Sequence, residues 1–514
     1  MIVANTRFST FLKTLTLPYL LLLSALVGAL LPLAFAPFAI WPLVIMLPAF
    51  LLVLADSRDT NKQVALTGFC FGLGYFGFGV YWIYNSLHDF GMAPPIVAAA
   101  ITGLMIVTLS VFPALTLLAW KSIQRRIGQQ SIWLVPILWF SFEWFRGWVL
   151  TGMPWLSLGY ALGESPLAGF APLLGVYGLS AIAVLVSVAL IQVIQTKAYR
   201  FASIIVLVFA FGSGLQQIEW TEQQSKSLDV TIVQGNIAQA IKWQSDQRQN
   251  IVNTYWRETE KHWDSDLIVW PETALPGQSE NIRQNILEPL SKMAAEKDSH
   301  ILTGLLVSDK ANQKIHNSMI MLGANLDNNE AVYHKRHLVP FGEYYPLRWL
   351  LRLMSHLINI PYSDLQPGPD EQALMKVKGL FLGISICFED AFSRDIMLSI
   401  PQANLLVNAS NDAWFGDSLA PHQHLQMAQM RSLETGRAMV RSTNTGISAF
   451  IDYRGRIIQQ TEQFKVLSIT QIMNGRTGIT PFYYFAKLQH WIAGLILIML
   501  TIGWFIGRRE KTGV

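Results

Sequence analysis

The sequence predicts a two-part protein. One part is a polytopic α-helical membrane domain of about eight transmembrane helices, and the other is an α/β domain carried outside the bilayer. Composition gives the first reason. Of 514 residues, 52% are hydrophobic and only 14% charged. Soluble domains carry roughly a quarter charged residues, and a deficit of this size over this length goes with membrane spans. Distribution gives the second reason. Seven apolar runs crowd residues 1–216, an eighth lies in 488–514, and a long polar and mixed region, 217–487, separates them.

The apolar runs fall at 17–34, 37–55, 64–84, 94–120, 131–150, 167–195, 200–216 and 488–507. Most approach the roughly 20 residues that a helix needs to cross a bilayer. Arg7 and Lys13 precede the first run. Arg58 and Lys62, then Lys121, Arg125 and Arg126, then Lys197 and Arg200 fill every second connection. Arg508, Arg509 and Lys511 follow the last run. The alternate loops, 85–95 and 151–166, hold no Lys or Arg. The positive-inside rule then puts both termini in the cytoplasm and 217–487 on the outer side. An even span count agrees with matching termini. The first run followed by Ala34-Phe35-Ala36 imitates a signal peptide, but Pro37 disfavours cleavage, so we expect it to be retained. In the fifth run Glu143 and Arg146 share a helix face and are expected to pair near the interface.

Several function classes recede on composition. A formal net charge of +4 and no Lys/Arg-rich run give no case for nucleic acid. Two cysteines in unlike contexts make no disulfide framework. There is no HExxH and no Cys-x-x-Cys pattern, and His422 with His424 reads as loop and helix-start polarity, so no metal is expected.

Within 217–487, short β-prone runs alternate with helical ones, as in an α/β domain. Strands are expected at 228–233, 267–270, 301–307, 318–322, 379–386, 404–407 and 439–452, the last returning through a turn at 453–455 to 457–459. Helices are expected at 247–263, 280–296 and 422–435. Three segments here carry chemistry. Trp270-Pro271-Glu272 ends one strand, and Lys335 lies in a basic stretch running to Pro340-Phe341-Gly342-Glu343. Cys387 ends the apolar run 380–386 and is followed by Phe388-Glu389-Asp390. From these residues alone, Cys387 is either a buried small hydrophobe or a nucleophile. A nucleophilic cysteine needs a proton acceptor, since the thiolate attacks. A tetrahedral oxyanion needs a cation or donor beside it. Glu, Lys and Cys make a complete set for acyl transfer.

The order Glu272, Lys335, Cys387, in W-P-E, Y-x-K-x-x-L-V-P-F-G-E and I-C-F-E-D, resembles the nitrilase superfamily. Placed between seven spans and one more, the arrangement resembles the apolipoprotein N-acyltransferase family over essentially the whole chain. The resemblance implies an αββα nitrilase-like sandwich without cofactor. It also implies Glu272 as general base, Lys335 as oxyanion stabiliser and Cys387 as nucleophile, with Glu343 and Glu389 in support. The implied reaction passes a phospholipid sn-1 acyl chain, typically from phosphatidylethanolamine, through a thioester to the diacylglyceryl-cysteine N-terminus of a lipoprotein. The implied setting is a bacterial inner membrane with the catalytic domain periplasmic. Trp349 and Leu350, in an apolar stretch at 344–358, are candidates for a lid. Trp243, Trp414 and Phe415 are candidates for walls of an acyl pocket. His334, Arg336 and His337 are either phosphate ligands or solvated charges. The rival readings are a membrane-anchored nitrilase-like amidase and a non-enzymatic lipid scaffold or transporter.

Overall fold

The computed structural model describes residues 12–309, 314–323, 332–344 and 364–512. It divides into two compact units. One comprises the chain up to Tyr81, Ala99–Ile218 and the chain from Tyr484. The other comprises Trp82–Ala98 and Glu219–Tyr483.

The first unit is helical at each expected apolar run. Among the described residues, four helices are long and apolar enough to cross a membrane: Leu17–Ala34, Pro95–Ile127, Pro166–Thr196 and Phe482–Thr501. A fifth candidate, Asn61–Gly79, qualifies only together with Ile83–Phe90. The remaining apolar runs give shorter α-helices, Leu43–Asp56, Val135–Arg146 and Tyr199–Leu215. Pro42 and Pro136 sit at the start of the first two, and Gly147 closes the second. Proline cannot continue a helix from the preceding turn, so these runs are interrupted where the sequence pattern looks continuous. Helices Leu17–Leu30 and Asn61–Gly79 pack backbone to backbone. A Cβ on Gly74 would stand 1.9 Å from Ala25 O, and one on Gly28 would stand 2.0 Å from Phe71 O. Small residues permit this approach where dispersion must replace the hydrophobic effect.

The expected Glu143–Arg146 ion pair is not made. Arg146 instead donates to Met153 O at 3.1 Å, Trp155 O at 2.6 Å and Ser157 Oγ at 3.1 Å. Glu143 Oε1 accepts from Trp139 Nε1 at 2.9 Å and from the Leu158 N–H at 3.1 Å. The chain after Gly147 folds back and supplies partners to both side chains.

The second unit holds two six-stranded sheets. The strands are β1 (Glu222–Gln234), β2 (Leu267–Val269), β3 (His300–Asp309), β4 (Lys314–Leu322), β5 (Val332–His334), β6 (Met375–Val377), β7 (Leu380–Ile386), β8 (Leu405–Ser410), β9 (Met439–Thr443), β10 (Ala449–Ile451), β11 (Ile457–Gln460) and β12 (Leu467–Thr477). Their order is β12-β1-β2-β3-β4-β5 and β6-β7-β8-β9-β10-β11. In both sheets the second, third and fourth strands are parallel and the flanking pairings antiparallel. The two halves therefore share one topology, although their sequences show no repeat.

Alternation along the strands sets the layers. Val230, Ile232, Leu267, Val269 and Leu302 from one sheet meet Leu380, Leu382, Ile384, Leu405 and Val407 from the other in a single buried cluster. The opposite face of the first sheet, through Val233, Ile268, Ile301 and Leu305, buries helices Arg248–Thr259 and Glu288–Glu296. Helix Ala420–Thr435, almost wholly buried, packs on β9 and β10 of the second sheet. The layers are α, β, β, α. The run expected as one strand at 439–452 is two, β9 and β10, paired antiparallel across a tight connection. Asn444, Thr445 and Gly446 turn the chain there.

Leu382 is fully buried between the sheets. Leu382→Ala should cost about 2–5 kcal/mol, read as a lower thermal midpoint of the detergent-purified protein. Phe381→Ala, on the other face of the same strand and 38% exposed, should shift the midpoint far less.

Candidate active site

The parallel strands of both sheets deliver their polar residues at their carboxyl ends, where α/β sheets place sites. Glu272 follows β2 by three residues and Cys387 follows β7 directly. Lys335 follows β5 directly. The structure brings Glu272 and Lys335 together. Lys335 Nζ lies 3.2 Å from Glu272 Oε1 and 3.0 Å from Glu343 Oε2. Asn317 on β4 bridges the two carboxylates, donating to Glu272 Oε1 at 2.7 Å and to Glu343 Oε1 at 2.8 Å. The Asn411 N–H donates to Glu272 Oε2 at 3.0 Å. The Val339 N–H donates to Glu343 Oε2 at 2.7 Å. Each carboxylate is therefore fixed by a cation, an amide side chain and a backbone N–H.

Lys335 is only 1% exposed. Burial alone would push its ammonium down, but Glu272, Glu343 and Cys387 outweigh it and hold it above the ordinary lysine range. Lys335 is a fixed positive charge. Cys387 is 8% exposed. Burial, then the Glu272 carboxylate, push its thiol well up, against the opposing pull of Lys335. The resting group is a thiol. Its backbone sits in the left-handed region at φ 52°, which costs a non-glycine residue about 1–2 kcal/mol and is found where geometry serves a site.

Glu389 supplies a hold on that geometry. Fully buried, it accepts from the N–H groups of Ile386, Arg336 and His337 at 2.6, 2.6 and 3.2 Å, and from Tyr333 Oη at 2.9 Å. One carboxylate thus ties the turn carrying Cys387 to the loop carrying Lys335. Burial pushes it up to about 7, with the Ile386 N–H opposing. Behind Cys387, Asn408 Nδ2 and His424 Nε2 each lie 3.3 Å from its carbonyl oxygen. His424 and Arg441 are both bound by Asp390 and Asp412, a buried four-residue ring of charges.

The remaining expected residues separate. Trp243 packs with Leu306, Leu338, Leu365 and Tyr344. Trp414 and Phe415 lie against the 82–98 segment, and the Phe415 ring also meets His424 edge to face at 6.2 Å. Ser86 Oγ donates to Trp414 O at 2.8 Å, and the Trp82 and Phe415 rings meet edge to face at 4.7 Å. Trp349 and Leu350 lie outside the described residues. His334 bonds Ser318, and His337 bonds Asp395 and stacks on Phe392. Arg336 covers the Tyr333 ring. The basic stretch is therefore committed to protein partners. Sequence reasoning missed Asn317 and Lys242. Lys242 is 2% exposed, and its Nζ donates to Thr273 Oγ1 at 2.6 Å and to Glu272 O at 3.3 Å. A lysine closing a four-residue helix gives no such signal; His316-Asn317-Ser318, polar inside an apolar strand, gives a weak one.

Comparison with known proteins places this geometry. Residues 27–189 match the apolipoprotein N-acyltransferase N-terminal domain and residues 229–481 match the carbon-nitrogen hydrolase domain. The apolipoprotein N-acyltransferase of Nitrosomonas europaea is 40% identical over 93% of this chain and 96% of its own. The chain belongs to the apolipoprotein N-acyltransferase family. Apolipoprotein N-acyltransferases of Methylococcus capsulatus and Coxiella burnetii are 37% and 36% identical, over 90% and 93% of this chain and 92% and 99% of their own. As a member of the apolipoprotein N-acyltransferase family, the protein is a membrane-associated acyltransferase with a nitrilase-like α/β domain.

Gly304 on β3 faces the Glu272 turn. A Cβ there would stand 2.4 Å from Thr273 N and 2.8 Å from Glu272 Cα. Gly304→Ala should displace Glu272 and lower turnover by at least about tenfold, since roughly 1 Å of misplacement can cost a hundredfold. Steady-state kinetics with the thermal midpoint as control checks this.

Proposed function

We propose that the enzyme N-acylates the diacylglyceryl-cysteine N-terminus of lipoproteins in two half-reactions through a thioester on Cys387. The observation that carries this is a buried Lys335 ion-paired to both Glu272 and Glu343, on a loop that Glu389 ties to the turn carrying the strand-end Cys387.

In the first half-reaction Glu272 accepts the Cys387 proton as sulfur attacks the sn-1 ester carbonyl of a phospholipid, phosphatidylethanolamine on this reading. The C–S bond forms, and the carbonyl π pair moves onto oxygen. Lys335 faces that oxyanion. Collapse breaks the ester C–O bond, and the departing lyso-phospholipid alkoxide takes the proton from Glu272. In the second half-reaction the lipoprotein α-amine gives a proton to Glu272 and attacks the thioester. The amide forms, and sulfur leaves with the proton back from Glu272. Lys335 keeps its proton throughout because negative charge always faces it: both carboxylates at rest, and Glu343 with the thiolate or oxyanion while Glu272 carries the proton. Glu343 and Asn317 keep Glu272 and Lys335 in register, and Glu389 keeps the nucleophile turn in register with them.

The charge pattern of the connections supports an inner-membrane protein of about eight spans with cytoplasmic termini, divided as 1–216, 217–487 and 488–514, its catalytic domain periplasmic. Trp243, Trp349, Leu350, Trp414 and Phe415 are proposed to contact the acyl chains or shield the thioester from water.

Incubation of the purified protein with acyl-labelled phosphatidylethanolamine should place a hydroxylamine-sensitive label on Cys387. A diacylglyceryl peptide should then remove the label and appear as its N-acyl product, and Cys387→Ala should take up none. Hydrolysis of small amides without acyl label on the protein would sink the proposal.

A further inference from the structure

The second buried lysine of the α/β domain takes no part in the steps above. Lys242 closes the short helix Gln239–Lys242. No carboxylate lies within ion-pair distance of it among the described residues. Its Nζ is held by one carbonyl and one hydroxyl, both belonging to the turn that carries Glu272. A buried ammonium without a paired anion is costly and tends to shed its proton. Burial pushes Lys242 down to about 8; the titratable groups that bear on it, Glu272 and Cys387, oppose that.

The turn it holds is itself unusual. Thr273 has φ 45°, and a β-branched residue in the left-handed region is a genuine outlier that its surroundings must enforce. The hydroxyl of this strained residue is the group that Lys242 binds most closely.

Charge counting gives the lysine a second role. Around Cys387, Asp412 also bears on the thiol but is paired with His424 and Arg441; next to that ring, the two carboxylates Glu272 and Glu343 face the two ammonium groups of Lys335 and Lys242. The sum is zero with the thiol protonated. Transfer of the Cys387 proton to Glu272 leaves a thiolate, a neutral Glu272, Glu343 and two ammonium groups, and the sum is still zero. Without Lys242 the same step proceeds at a net charge of −1. In a buried site, that opposes both the thiolate and the later oxyanion.

We propose that Lys242 is a positioning residue of the acyl transfer, which holds the Glu272–Thr273 turn in its left-handed form and supplies the positive charge that balances thiolate formation at Cys387. This rests on the reading of Cys387 as the nucleophile that Glu272 deprotonates. Below about 8 Lys242 is charged and the site is neutral; as pH rises through that value the site gains a net negative charge, and reactivity gained from thiol ionisation is partly lost.

The test uses full-length protein in detergent, with iodoacetamide alkylation of Cys387 followed from pH 6 to 10 by peptide mass spectrometry, which separates it from Cys70. Lys242→Met should keep the parent's thermal midpoint and slow Cys387 alkylation by about tenfold, the equivalent of one unit of thiol acidity. It should also lower kcat for acyl transfer with KM little changed. Lys242→Arg should retain the rate and lose the inflection near pH 8. A Lys242→Met protein that melts like the parent, with the parent's alkylation profile and kcat, would overturn the proposal. If Lys242→Met does not fold, Lys242→Arg decides: an unaltered inflection near pH 8 overturns the proposal, and its loss supports it. Because alkylation reads Cys387 directly, a slowed Lys242→Met protein whose parent takes no acyl label rejects the phospholipid reading and leaves the role of Lys242 standing.

Discussion

The site depends on keeping one ammonium charged where almost no water reaches it. An isolated lysine in such a place would shed its proton. Lys335 keeps its proton because Glu272 and Glu343 both lie within 3.2 Å of it. Removing either partner of a buried pair costs about 3–5 kcal/mol because a charge is left uncompensated. The same pairing constrains chemistry. Glu272 is held toward Lys335 through one oxygen and toward the Asn411 N–H through the other, so its orientation is fixed before any substrate arrives. Preorganisation of this kind costs nothing at the moment of reaction.

That cluster draws on distant parts of the chain, and the doubled topology explains how they converge. Each sheet presents its parallel strands in the same direction within its own order, so β2 and β7 each end in a turn with a candidate site residue. Stacking the two sheets through their apolar faces brings those turns to one locus. Glu389 then fastens the turn after β7 to β5 and the loop after it by three hydrogen bonds, from Tyr333 Oη and the N–H groups of Arg336 and His337. Its position two residues beyond Cys387 suits this: a 3-10 turn over Cys387–Ala391 folds the carboxylate back onto the Ile386 N–H.

Much of this was legible in the sequence, for physical reasons. β7 and β2 are apolar runs that end abruptly, so the residues after them stood out, and Glu272 and Cys387 were readable as strand-end polarity, whereas Lys335 was readable only through the motif around it. β5 and β6 are three residues long, too short for alternation to register. β12 is mixed, with Ile472 outward and 60% exposed, because it forms the edge of its sheet. Sequence spacing placed Glu143 and Arg146 on one face correctly, but could not foresee that residues 153–158 would supply partners to both in place of the ion pair. Lys242 was invisible for a similar reason: its importance comes from contacts with residues about thirty positions away.

The state of Cys387 bears on what kind of catalyst this is. A cysteine tuned as a thiolate sits in electropositive, partly exposed surroundings. Here burial and the nearby Glu272 carboxylate outweigh Lys335, and the sulfur stays protonated. On the proposed reading, such a thiol reacts slowly with whatever diffuses past, and becomes a nucleophile only when an acyl carbonyl is positioned so that bond formation and proton transfer to Glu272 proceed together. On the proposed reading that is an advantage for a two-stage transfer. After the first stage sulfur is acylated and Glu272 has returned its proton, so the base is ionised again and ready for an amine. The same carboxylate serves both stages because Lys335 never takes or gives a proton. That division, one group that titrates and one that does not, follows from the carboxylates on either side of a single buried lysine.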